Sequence, residues 1–85
     1  MNSDKKSISA SQCCAARALL NWSREELATA SKVSRAAIAD FETDKRTVRE
    51  RTRDDLCSTL EAAGVEFIPA NGGGPGVRLR EVRSG

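Results

Sequence analysis

Hydrophobic and polar positions along this chain fall into two rhythms, a helical one over most of its length and an alternating one near the end. In SASQCCAARALL, Cys13, Ala16 and Leu20 share a face with Arg17, and Ser9 or Ser11 stands where a hydroxyl accepts from the first free amides. This predicts a first helix over about 10–20. Asn21 follows, the residue best suited after glycine to the left-handed backbone that ends a helix. Ser23-Arg24-Glu25-Glu26 then has the form of a capping box, in which a serine hydroxyl and a glutamate carboxylate satisfy each other's backbone amides. A second helix is expected over about 24–30.

After Ser31-Lys32-Val33, Ser34 offers another N-cap, and Ile38 and Phe41 lie three apart on one face of a third short helix, 35–42. Thr43 to Thr47 is polar and reads as a loop. Thr47-Val48-Arg49-Glu50 repeats the capping-box pattern, Leu56, Leu60 and Ala63 form a buried stripe, and Gly64 supplies the stop of a fourth helix. The period then changes to two. Val65-Glu66-Phe67-Ile68 and Val77-Arg78-Leu79-Arg80 alternate around PANGGGPG, predicting strand, loop and strand. Eight residues is a long hairpin loop, so pairing within the chain and pairing with a second subunit both stay open. The division expected is a flexible arm over 1–8, a helical domain over 9–64 and a strand-forming tail over 65–85.

Eighty-five residues leave room for one core, and 4% aromatic residues make that core depend on aliphatic side chains. A net charge of +2 is too small to identify a partner, but its placement is informative: KRTVRERTR concentrates Lys45, Arg46, Arg49, Arg51 and Arg53 against Glu50. Of three cysteines, Cys13 and Cys14 are adjacent and cannot readily bridge each other; reduced thiols are expected, with Cys13 buried and Cys57, off the leucine stripe, partly exposed. The absence of histidine and of CxxC spacing argues against a metal, and no nucleophile and base arrangement suggests an enzyme. GGGPG lacks the lysine and hydroxyl of a phosphate loop. No cofactor is expected, and with no signal-like or long apolar stretch the expected location is the cytoplasm, away from membranes.

Two short helices joined by a turn, each with its own serine cap, form a unit able to place a helix end in the major groove of double-stranded DNA. The run ARALLNWSREELATASKVSRAAIADFETDKRT resembles the Cro/C1-type (XRE-family) helix-turn-helix in the spacing of Arg17, Trp22, Leu27-Ala28, Val33-Ser34, Ile38, Phe41-Glu42 and Lys45-Arg46. That resemblance implies a mainly α fold, a four-helix lambda-repressor-like domain with a short C-terminal strand pair. It implies DNA contacts from Arg24 and from the recognition helix through Ser34, Arg35, Ala36 and Asp40, with Thr43, Lys45 and Arg46 at phosphates. It also implies a structural ion pair between Arg17 and Glu42. Where many relatives carry glycine this chain has Lys32 and Asp44. For Asp40 two roles stay open, accepting from a cytosine amino group and holding a neighbouring basic side chain. The function expected is a sequence-specific regulator, a repressor binding a palindromic operator as a homodimer through helix four and the tail. The alternative is an antitoxin-like or adaptor protein whose C-terminal tail grips a protein partner.

Overall fold

The computed structural model describes residues 8–45, 48–70 and 72–80. Four helices, α1 (Ala10–Leu20), α2 (Arg24–Ser31), α3 (Arg35–Glu42) and α4 (Glu50–Ala62), precede two strands, β1 (Val65–Ile68) and β2 (Gly76–Leu79). The fold is mainly helical with a two-stranded antiparallel sheet at its end, as the two rhythms in the sequence predict.

Local chemistry sets most helix ends. Ser9 caps α1: its Oγ accepts from the Gln12 amide at 3.1 Å, and the Gln12 carboxamide oxygen accepts from the Ser9 amide at 2.9 Å. At the other end Asn21 adopts φ 59°, and the amides of Asn21 and Trp22 donate back to the carbonyls of Ala18 and Arg17. The end of α3 repeats this geometry with Asp44 at φ 56°, Asp44 donating to Phe41 and Lys45 to Asp40. Short polar side chains tolerate the left-handed region, which lets the chain reverse tightly without glycine. Ser23 and Glu26 close the capping box of α2, at 2.7 Å and 3.0 Å. This helix runs one residue beyond expectation, to Ser31, and ends on Lys32 at φ 64°.

Four expectations need correction. Ile8, assigned to the flexible arm, is 4% exposed and belongs to the core; residues 1–7 lie outside the described residues. Ile8 precedes the cap of α1 and Cys13 is the fourth residue of the helix, the two positions of a hydrophobic staple. Second, α4 begins later than the Thr47 capping box requires: its N-cap is Arg49, without a side-chain cap bond, and Glu50 becomes the first helical residue, where its charge favours the positive end of the helix dipole. Third, Cys57 is buried at 3%. Because α4 packs against α1, α2 and β1 at once, its apolar face widens from a leucine row to Leu56, Cys57 and Leu60. Fourth, the second strand is Gly76–Leu79, one residue earlier than its alternation suggested.

The strands pair within the chain, Val65 opposite Leu79 and Phe67 opposite Val77. Their inner face adds Val65 to a core of Ile8, Cys13, Ala16, Leu27, Ile38, Phe41, Leu56, Cys57 and Leu60, with Phe67 and Val77 packed on it. Trp22 packs partly buried against the same cluster. Gln12 ties the hairpin to α1: its carboxamide donates to the carbonyl of Gly76 at 3.0 Å and to that of Ile68 at 3.4 Å, at the end of the strand pair where the connecting loop begins.

Candidate nucleic-acid interface

The site begins with the turn between α2 and α3. Ser31 Oγ accepts from the Val33 amide at 3.1 Å, Lys32 takes the left-handed step, and Ser34 caps α3 by accepting from the Ala37 amide at 3.1 Å. Ile38 and Phe41 bury the inner face of α3. The same helix therefore presents Ser34, Arg35 and Ala36, all exposed, at its opening turn. Asp40, half-buried, lies one turn further along. Thr43 and Lys45 are exposed just past the helix, where the Thr43 hydroxyl donates to the Ala39 carbonyl at 2.7 Å. Arg46 lies outside the described residues.

Beside α3 runs a cleft of about 420 Å³ lined by Ser34, Ala36, Ala37 and Asp40 on one side and Val48, Arg49 and Thr52 on the other. The sequence marks Arg49 as part of a basic run and of the Thr47–Glu50 capping pattern, not as a site residue, and does not single out Thr52. What joins them to Asp40 is the reversal between α3 and α4, which side-chain spacing alone does not reveal. The basic run itself divides. Lys45, Arg49 and Arg51 are exposed, whereas Arg53 is half-buried, its Nε inside the protein and without a hydrogen-bond partner.

The far end of α3 is held by a cluster of charges. The Glu42 side chain is fully buried. Arg17 grips it bidentately, Nε on Oε2 and Nη2 on Oε1, both at 2.8 Å, and spends Nη1 on the Trp22 carbonyl at 2.9 Å. Two further donors complete the carboxylate: Arg24 Nε reaches Oε1 at 2.9 Å, and the Cys13 thiol donates to Oε2 at 3.2 Å. Burial by itself pushes the Glu42 carboxyl up, but the hydrogen bonds from Arg17, Arg24 and Cys13 outweigh it and leave the group at about 2. Burial, with the bond to Glu42 second, pushes the Cys13 thiol far up, which keeps it a proton donor. The bond to Glu42 likewise raises Arg17.

Arg17 and Glu42 were paired on resemblance, and the structure brings them together. The place of Arg24 in that cluster is new. It stands 18 positions from Glu42, and no local period relates the two, so the sequence carried no signal for the contact. Among the described residues no group of three or more cysteine, aspartate, glutamate or histidine side chains could hold a metal ion, and no helix is long and apolar enough to cross a membrane.

The family model for helix-turn-helix domains matches residues 15–61, more than half of the chain, running from within α1 to the last turns of α4 and leaving the strands outside. No curated protein matches the chain. With two capped helices meeting at a tight turn, an exposed opening to the second of them and this match, the chain belongs to the Cro/C1-type (XRE) helix-turn-helix family of DNA-binding regulators.

Proposed function

We propose that the protein is a sequence-specific cytoplasmic repressor that binds a palindromic operator as a homodimer, each subunit laying the opening turn of α3 in the major groove. The observation that carries this reading is the polarity of α3: Ile38 and Phe41 fix it in the core while Ser34, Arg35 and Ala36 stand exposed at its N-terminal end. Arg35 is the specificity residue, because a guanidinium spans guanine O6 and N7 in a bidentate contact that discriminates by roughly 1–3 kcal/mol. Ala36 lies against the neighbouring base edge. Asp40 shares its cleft with Arg49, which favours the role of orienting a basic side chain over direct base contact. Thr43, Lys45 and Arg46 grip phosphates beyond the helix.

Dimerisation follows from size. One short recognition helix buries too little surface for tight operator binding, and two-fold pairing doubles the contacts. The outward surface of α4 and the strand pair, where Leu79 is 37% exposed, supplies the partner face.

Selection from random duplexes at near-physiological salt tests the reading. Enrichment of an inverted repeat with half-sites about one helical turn apart is the expected result. Absence of any enriched sequence would overturn it in favour of an adaptor that captures a protein through the hairpin.

A further inference from the structure

We propose that Glu42 is a positioning residue for DNA binding: its buried carboxylate holds Arg24 so that the exposed part of that guanidinium meets a backbone phosphate beside the start of α2. The inference rests on the DNA-binding reading above and adds to it a division of labour between two arginines on one carboxylate.

Charge and geometry point the same way. One carboxylate faces two guanidinium groups, so the cluster carries one positive charge beyond neutrality. Arg17 alone would complete a neutral bidentate pair. All three of its nitrogens are turned inward, on Glu42 and on the Trp22 carbonyl, and its side chain is 18% exposed. Arg24 reaches Glu42 through Nε, is 33% exposed, and is the first residue of α2. The surplus charge therefore sits on Arg24, at the surface, at the positive end of a helix. Partial burial of a charge beyond neutrality costs desolvation, and an arriving anion offsets that cost.

Anchoring also changes what binding demands of the side chain. An arginine on the surface must give up rotamer freedom to grip a phosphate, and one already held at Nε has given up much of it on folding. Only arginine can do this. Its planar group donates from Nε to the protein while the Nη atoms address a second anion, whereas a lysine ammonium is a single point that cannot serve both.

The test compares Arg24→Ala, Arg24→Lys, Glu42→Gln and the double variant Arg24→Ala/Glu42→Gln, titrated against the selected operator and a random duplex of equal length over a range of salt, with thermal melts alongside. Arg24→Ala should weaken binding to both duplexes alike, about tenfold, and reduce the salt slope by about 1. Arg24→Lys should keep the slope and recover less than half of the lost affinity on a logarithmic scale. Glu42→Gln should weaken binding in the wild-type background and add nothing once Arg24 is alanine, a coupling that a merely structural role for Glu42 would not produce. Where Glu42→Gln does not fold, the Arg24→Lys result decides. Full rescue by lysine, additive losses in the double variant, or an unchanged affinity for Arg24→Ala would each overturn the proposal. An Arg35→Ala control separates the two readings: loss there with no effect at Arg24 sinks only this inference, while a protein that binds neither duplex sinks both.

Discussion

The two ends of α3 are built on opposite principles. At its C-terminal end Glu42 is buried and takes four hydrogen bonds from three side chains, and the Asp44 turn closes the helix behind it. At its N-terminal end one serine hydroxyl accepts one amide, and Ser34, Arg35 and Ala36 stand in solvent. A single eight-residue helix joins a fully desolvated anchor to the surface proposed to read a base. The comparison teaches that a short helix can leave one end unencumbered, here the end proposed to meet DNA, when its other end is fixed by interactions too costly to rearrange.

Removing the anchor should have the largest effect. Glu42→Ala leaves Arg17 and Arg24 without their shared counter-charge, and a broken buried pair typically costs 3–5 kcal/mol; urea denaturation should show a loss of that size, or no folded state at all. Acid attacks the same point more gently. The folded Glu42 pKa, about 2, lies below the ordinary value of 4.5, so its contribution is complete above about pH 4.5 and is lost as the pH falls towards 2. A shift of this size corresponds to on the order of 3 kcal/mol, readable as a steep fall of melting temperature between pH 4.5 and 2, whereas a flat profile there would show that the carboxylate is not held as described.

At the working end the balance reverses. Arg35→Ala should leave stability within about 0.5 kcal/mol, as for other surface substitutions, and lose roughly 1–3 kcal/mol of discrimination at one base position. Equal losses on operator and random duplex would remove Arg35 from its role. The smallest effect belongs to the turn that precedes α3. Lys32 holds φ 64°, and Lys32→Gly should relieve the left-handed strain and raise stability by about 1 kcal/mol, seen as an upward shift of the thermal midpoint.

Those ends were unequally legible in the sequence. Caps are local chemistry, so Ser23 with Glu26, Ser34, Asn21 and Gly64 could be placed from their neighbours alone. Cap competition was harder. Thr47 to Glu50 has the pattern of a capping box, yet α4 starts at Glu50, because a pattern states which residues are able to cap and not where packing lets the helix begin. Burial of Ile8 and Cys57 came from elements meeting around them, which no single period records. In the site, Ser34 and Arg35 were readable as the opening of a helix. Resemblance supplied the pairing of Arg17 with Glu42 and Arg24 as a DNA contact, and neither route supplied the contacts of Arg24 and Cys13 with that carboxylate, which join segments 18 and 29 positions apart.

Gln12 and Cys13 are consecutive, so their side chains leave α1 about 100° apart. One clamps the loop end of the hairpin through Gly76 and Ile68, and the other touches Glu42. The helix between them is a crank: a molecule that shifts the loop end of the hairpin must wrench Gln12, and any twist it imparts to α1 is delivered by the next residue to the carboxylate that anchors the C-terminal end of α3.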